Sequence, residues 1–356
     1  MTIHPQKDRP DYLFMDTQVF DQLNHNYEQF DLLKLRQLAA EGYVKLLMPT
    51  ITVAEVLSHL DERAVGVATA VAKLAQLPAV RASGIKLFVE RDHKVVGEAL
   101  RSKLREQFQS FCEDCGTISV DLRHVDADGV FIRYFASDAP FDVPRKKSEF
   151  PDAFTVAALR AWKKRNNVDA VVIISGDDDW KRMTHEDVGF RQFDTLRSYL
   201  GTLTEQSVAA AIKQYIRARW DAEVAPEVEK WFSNSSFWPG DVDGEIDEVE
   251  VGEVDIEEMF VVEAQDGLYR AEVDVTIYFK ASASFDVPGT GTYDHEVGIM
   301  YNAERFNGWV NDTKSTSVSV LGTFEGADAA RVGISEVICP EIFSTVWVDV
   351  SDKLGD

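Results

Sequence analysis

Four acidic residues occupy positions at which a hydrolytic metal site would need carboxylates. Asp16 ends an apolar run, Asp177 follows a β-branched run, and Glu55 and Asp152 each lie in the first turns of a stretch with helical periodicity. Carboxylate oxygens are the ligands that Mg²⁺ prefers, and they also suit Mn²⁺. One or two such ions would lower the pKa of an attacking water and neutralise charge on a phosphodiester. The pattern therefore favours metal-dependent phosphodiester hydrolysis.

Further polar residues flank these four positions. Three of them are interpreted as supporting residues of the carboxylate site: Asp179, Glu149 and Ser175. Three basic residues near the acidic positions are candidates for gripping the phosphates of a substrate: Lys146, Lys147 and Arg182. The same basic residues are also explained as solvated charges at helix ends, and the sequence leaves both interpretations open.

Each acidic residue also has a purely structural explanation. Asp16 can cap a helix, and Thr52 with Glu55 fits a capping box. Asp152 can complement a helix dipole, and Asp177 can belong to an ordinary acidic turn. Their shared location at strand ends or helix starts favours a common catalytic role, but the spacing alone leaves the structural explanations open.

The elements that must position these residues alternate between strands and helices. Continuous apolar runs at 12–15, 44–48 and 170–174 predict buried strands, and each is followed by a segment of helical period. Such alternation predicts an α/β fold with a parallel sheet covered on both faces. In an open parallel sheet, reactive groups gather beyond the carboxyl ends of the strands, which is where Asp16 and Asp177 are expected.

The composition and periodicity of the chain change after about residue 220. Residues 233–244 carry the Ser, Asn, Pro and Gly signals of a linker, and alternating apolar and polar residues follow. We therefore predict an α/β domain at 1–225, with a helical insertion at about 64–145, then a linker at 226–244. A smaller, mostly β, acidic domain is predicted at 245–356.

Charge is unevenly distributed between these two parts. The whole chain has a formal net charge of -24. Residues 225–356 hold 28 acidic and 7 basic side chains, whereas the first 224 residues hold 33 and 30. The objection that an acidic protein repels nucleic acid therefore applies mainly to the C-terminal part, which would instead attract a basic protein partner.

Composition also limits the compartment and the cofactors. The first nine residues are polar, and no run of about 18 apolar residues occurs, which predicts a soluble cytoplasmic protein without a membrane span. With 3 cysteines, one is necessarily unpaired, which disfavours a disulfide framework. Cys112 and Cys115 form a CxxC without a second pair, so a zinc site is disfavoured.

Four motifs together resemble the PIN domain family of metal-dependent nucleases, which act mostly on RNA. In chain order they are Leu13–Thr17 (LFMDT), Thr50–Val56 (TITVAEV), Glu149–Ala153 (EFPDA) and Ile174–Trp180 (ISGDDDW). The resemblance covers roughly residues 10–205 and is closest to an enlarged, bacterial PIN-like subgroup. Two departures are the long stretch between Glu55 and Asp152 and the additional C-terminal part.

The resemblance carries its own implications. It implies a central parallel sheet flanked by helices, with Mg²⁺ or Mn²⁺ held by Asp16, Glu55, Asp152 and Asp177, and Asp179 as a frequent helper. It further implies an endoribonuclease acting on single-stranded RNA, toxin-like or related to defence, and a homodimer.

Two other functions remain open at this stage. The chain can be a catalytically silent or autoinhibited PIN-like protein that binds a partner or senses a signal through its acidic β domain. Alternatively, carboxylates on an α/β sheet suit a phosphatase. However, no D-x-D-x-T motif follows the first strand, which disfavours that interpretation.

Overall fold

The structure is a computed structural model whose described residues divide into two compact units. They are residues 10–76, 93–142, 148–185, 189–204, 206–240, 242, 244–287, 290, 292–294, 299–301, 304–326, 329–340 and 345–353. The division between the units falls between Tyr199 and Leu200. We call them the N-terminal unit and the C-terminal unit.

The N-terminal unit alternates strands and helices. In chain order these are β1 Asp11–Met15, α1 Thr17–Gln22, α2 Phe30–Ala40, β2 Val44–Pro49, α3 Thr50–Gln76, α4 His93–Asp114, β3 Ile118–Val120, α5 Ala127–Ala136, α6 Phe150–Arg165, β4 Val171–Ile174, α7 Asp178–Thr184, β5 Phe190–Phe193 and α8 Leu196–Gly201. The strands form one five-stranded sheet in the order β3-β2-β1-β4-β5, and every pairing is parallel. The predicted α/β architecture with a central parallel sheet flanked by helices is confirmed.

The apolar strands explain why this sheet is buried on both faces. Phe14 and Ile173 lie in one core cluster with Trp162 and Trp180, and the Phe14 and Trp180 ring centroids are 4.9 Å apart. Leu13, which points to the opposite face of the same strand, is also completely buried. Continuous apolar runs are therefore what the two covered faces require.

The predicted helical insertion at about 64–145 contains more than helices. Helix α3 runs through its start, and α4 and α5 lie within it. The short strand β3 is also within it and pairs in parallel with β2 at the edge of the central sheet. Part of the stretch predicted as an insertion is therefore integral to the sheet.

The C-terminal unit consists of two helices followed by long strands. Its elements are α9 Gln206–Arg219, a π-helical turn Trp220–Val224, α10 Ala225–Ser233, β6 Phe237–Trp238, β7 Gly244–Gln265, β8 Leu268–Asp286, β9 Thr292–Asp294, β10 Ile299–Tyr301, β11 Arg305–Glu325, β12 Arg331–Ile338, β13 Val346–Trp347 and a 3-10 turn Ser351–Lys353. A four-stranded antiparallel sheet has the order β12-β11-β8-β7. The predicted mostly β C-terminal part is confirmed as a fold class.

The C-terminal unit begins upstream of the predicted linker at 226–244. Val208, Ile212 and Ile216 of α9 lie in the same core cluster as Ala271 and Val273 of β8. Most of α10 and the whole of β6 fall within the range predicted as a linker. The difference arises because the apolar faces of α9 and α10 are buried against strands far along the chain, whereas linker signals are local.

A helix that crosses a bilayer needs about 20 mostly apolar residues. No helix in the described part of the chain is both long and apolar enough to span a bilayer.

Candidate metal centre

Asp16 is fixed at the junction of two neighbouring strands. It follows β1 and occupies the cap position before α1, with extended backbone angles. Its backbone N–H donates to the carbonyl oxygen of Ile174 at 3.0 Å, so the carboxyl ends of β1 and β4 are joined there. The residue is only 9% exposed. This junction places a largely buried carboxyl group at the edge of the sheet.

Ser175 links Asp16 to Asp177. Its hydroxyl donates to Oδ2 of Asp16 at 2.9 Å and accepts from the backbone N–H of Asp177 at 3.2 Å. Asp177 caps α7, because its Oδ1 accepts the backbone N–H of Asp179 at 2.8 Å. Ser175, which is predicted as a supporting residue, therefore orients the carboxylate of Asp16 and contacts the backbone of Asp177.

Glu55 belongs to the long helix α3, one turn after its start. The hydroxyl of Thr17, the first residue of α1, donates to Oε2 of Glu55 at 3.2 Å. Thr17 directly follows Asp16 in the chain. The bond therefore holds the Glu55 carboxylate beside the residue that follows Asp16.

Asp152 lies in the first turn of α6 and has the most perturbed pKa of the group. Burial is the main cause, and repulsion from Asp16, Glu55, Glu149 and Asp177 adds to it, so that the pKa rises to about 8. These four repelling groups come from different parts of the chain. Asp152 is therefore the member whose negative charge is opposed from several sides.

The same repulsion acts on Asp16. Burial raises its pKa to about 6, with the charges of Asp177 and Glu55 adding and the Ser175 hydrogen bond opposing. Burial also raises the pKa of Glu55, against a lowering by Thr17 and His59. Carboxyl groups with raised pKa values that face other carboxyl groups mark sites where a cation would be favourable.

The four carboxylates lie within electrostatic reach of one another but are not gathered at one point. Within the described ranges, no group of three or more His, Cys, Asp or Glu side chains is arranged so as to hold a metal ion. Electrostatic repulsion extends over longer distances than the roughly 2.0 to 2.6 Å of a ligand bond. By donor chemistry, the set suits a hard divalent cation, since it offers only carboxylate oxygens from four chain segments.

Of the three predicted phosphate-binding residues, Arg182 is the one that lies among the described residues. Arg182 forms ion pairs with Asp179 and Asp142, and the Asp179 pairing is between residues of the same helix, α7. A phosphate contact by Arg182 would have to compete with these two carboxylates. Lys146 and Lys147 lie outside the described residues.

The sequence interpretation missed a cluster of charged side chains around Asp21 of α1. Two of its members lie on α3, the helix that carries Glu55. His59 and Arg63 follow Glu55 at successive turns of α3, and their side chains contact Asp21 at 2.7 and 3.2 Å. His25 contacts the same carboxylate at 2.9 Å. The spacing of four residues between Glu55, His59 and Arg63 was the available signal.

The fold and the site together define a class of α/β protein. In this class, acidic side chains lie at the carboxyl ends of the central strands of a parallel sheet. The family model described as PIN domain matches residues 13–180, so this segment is similar to the PIN domain family. Members of that family are generally metal-dependent nucleases. Comparisons with curated proteins and with solved structures gave no match.

Proposed function

We propose that the N-terminal unit is a metal-dependent nuclease that hydrolyses phosphodiester bonds with Mg²⁺ or Mn²⁺. The ions would be held by Asp16, Glu55, Asp152 and Asp177. The observation that carries the proposal is the burial of Asp152 among other carboxylates, which raises the pKa of Asp152 to about 8 in a segment similar to the PIN domain family. Folding this cluster costs free energy, which a bound dication would offset.

The bound ions and the neighbouring residues would have different roles in the reaction. When bound, the ions supply an activated water and neutralise charge that develops on the phosphate. Ser175 keeps the Asp16 carboxylate oriented, and Thr17 does the same for Glu55. Glu149 adds negative charge beside Asp152 and thereby strengthens attraction for a cation. No side-chain nucleophile is required for this chemistry.

Single-stranded RNA is the proposed substrate, cut internally by an enzyme of toxin-like or defence-related type. Family likeness supports RNA, and the nearly balanced charge of the first 224 residues allows a polyanion to approach. The family likeness also motivates a homodimer. Substrate class and assembly both rest on resemblance rather than on geometry.

Cleavage of labelled single-stranded RNA and DNA in Mg²⁺, Mn²⁺ or EDTA tests the proposal. We expect metal-dependent cleavage by the natural chain and none by the variant carrying Asp16→Asn and Asp177→Asn. Asp178→Asn is the matched control, because Asp178 lies beside Asp177 but pairs with Lys181. Activity that persists in EDTA, or in the double variant, would refute the metal mechanism.

A second candidate function is a catalytically silent PIN-like protein that acts through its C-terminal unit. The observation that favours it is the row of exposed acidic residues on β7, including Glu248, Glu250 and Glu257. Such a row attracts basic partners. Salt-sensitive binding of a basic peptide by a chain that cleaves neither RNA nor DNA in any metal would support this candidate. Cleavage by the natural chain would reject the silent form.

A further inference from the structure

A cavity of about 350 Å³ lies in the N-terminal unit on a side of α6 that the metal-centre proposal does not use. Its walls come from the start and middle of α5, from α6, and from Met183 of α7. Ala153, Ala157 and Ala161 line it from α6 at successive turns. Their short side chains leave the space that larger residues would fill.

The lining combines an apolar floor with a cationic rim. Val130, Val156 and Met183 contribute apolar surface, together with the three alanines of α6. The cationic side chains on the lining are Arg133, Arg160 and Lys164, and His124 lies with them. This concentration of positive charge stands out in a chain whose formal net charge is -24. It indicates that the cavity suits an anionic ligand with an apolar part.

Two hydrogen bonds show how the polar groups of the cavity are held. Nη2 of Arg160 donates to the carbonyl oxygen of Met183 at 2.6 Å, which fixes the guanidinium at the cavity wall. Among the described residues, Asp126 is the one carboxylate on the lining, and its Oδ1 accepts the backbone N–H of Gly129 at 3.0 Å as the cap of α5. The carboxylate is therefore engaged at the helix start, against three cationic groups.

We propose that this cavity binds a nucleotide-sized ligand that carries a phosphate. Arg133, Arg160 and Lys164 would contact the phosphate, and the apolar floor would pack against a base or a sugar. Pockets that bind small molecules typically have volumes of about 300 to 1,000 Å³, a mainly apolar lining and a few well-placed polar groups. The cavity matches this description. The ligand is either a free mononucleotide or one nucleotide of a bound strand.

The position of the cavity suits a free mononucleotide and also one nucleotide of a bound strand. Asp152 itself does not line the cavity, but Ala153, the next residue of α6, does. Arg160 lies eight residues after Asp152, or roughly 12 Å along the helix at about 1.5 Å per residue. A strand whose scissile phosphate lies at Asp152 can therefore place a neighbouring nucleotide in the cavity.

Binding measurements in EDTA test the proposal without relying on hydrolysis. The probes are the four nucleoside 5′-monophosphates, inorganic phosphate and a fluorescent single-stranded RNA of six nucleotides. The variants are Lys164→Glu and Arg133→Glu in the full chain. The matched control is Arg165→Glu, because Arg165 is an exposed neighbour of Lys164 that does not line the cavity.

We expect each cavity variant to weaken binding by about tenfold and the control by less than about twofold. Weakened mononucleotide binding identifies a free nucleotide as the ligand, and an effect confined to the RNA identifies a nucleotide of the strand. Equal effects of Lys164→Glu and Arg165→Glu, or no binding of any probe, would overturn the proposal. Binding in EDTA without cleavage in Mg²⁺ would leave the cavity site standing and reject only the proposed nuclease.

Discussion

The two units of this chain use carboxylates in opposite ways. In the N-terminal unit, Asp16 and Asp152 are largely buried, and they repel each other and their acidic neighbours. In the C-terminal unit, most acidic residues of β7, including Glu248, Glu250 and Glu257, stand on an exposed surface, where water screens them. The C-terminal part has far more excess negative charge, yet the candidate chemistry lies in the part that is nearly balanced.

This contrast shows that placement, rather than the number of acidic residues, creates a candidate site. An exposed carboxylate keeps its hydration and costs little to ionise. A carboxylate that is buried among others can ionise only at a cost in free energy, which a cation would relieve. Four predictions test this difference, from the largest expected effect to the smallest.

The largest effect is expected for cleavage activity. Asp16→Asn should lower kcat/KM for RNA about 1000-fold, or about 4 kcal/mol in activation free energy, because it removes a metal ligand. The matched change in the C-terminal unit neutralises three exposed residues, Glu248→Gln, Glu250→Gln and Glu253→Gln, and should alter kcat/KM less than about twofold. Steady-state kinetics in Mg²⁺ would measure both. Comparable losses of kcat/KM in the two variants would show that the exposed carboxylates matter for cleavage as much as Asp16 does.

The next effect concerns stability without metal. The raised pKa of Asp152 means that the folded protein loses stability as the pH rises from about 4 through about 8, because only the unfolded chain ionises this group easily. In EDTA at pH 8, Asp152→Asn should therefore raise the free energy of unfolding by about 2 kcal/mol, and near pH 4 by almost nothing.

Urea denaturation measures this change, and hydrogen exchange of the β1 and β4 amides assigns the transition to the N-terminal unit. Glu257→Gln, at an exposed position on β7, is the control and should change stability by less than about 0.5 kcal/mol. A destabilised Asp152→Asn protein at pH 8 would contradict the inferred cost of ionising Asp152 in the folded protein.

A smaller effect is expected from Ser175→Ala. Loss of the hydroxyl that orients Asp16 should raise the Mg²⁺ concentration for half-maximal activity about tenfold, because groups that orient metal ligands typically change affinity by that order. Ser319→Ala is a close match in the C-terminal unit, where the Ser319 hydroxyl donates to buried Glu272 at 2.7 Å. The Mg²⁺ titration of that variant should be unchanged.

The smallest effect is expected for the ion pairs. Asp21→Asn should lower stability by about 1 kcal/mol, because Asp21 is partly buried and contacts both His59 and Arg63. Glu325→Gln, which removes the exposed pair with Arg331, should have less than about half that effect. Equal losses in urea denaturation would show that burial does not distinguish the two pairs.

Much of the N-terminal fold was predictable because its strands are buried on both faces. The runs at 12–15 and 170–174 contain no charged side chain, so their period and length indicated strands of a parallel sheet. The structure gives β1 as Asp11–Met15 and β4 as Val171–Ile174. Strand ends then located Asp16 and Asp177 without any knowledge of the tertiary contacts.

The contacts of individual side chains were not predictable in the same way. Arg182 pairs with Asp142, 40 residues away, and His59 pairs with Asp21, 38 residues away. Nothing in the local pattern distinguishes a charge that meets such a partner from one that faces water. The same limit affected the domain boundary, because α9 packs against β7 and β12, which lie far downstream in the chain.

The joint core of α9 and the antiparallel sheet has a practical consequence for dissecting the protein. Val208, Ile212 and Ile216 are completely buried. A polypeptide that starts at residue 245 would leave the apolar side of its sheet bare and would aggregate. One that starts at Leu200 keeps this cover, so grafting or separate expression of the acidic module should begin there.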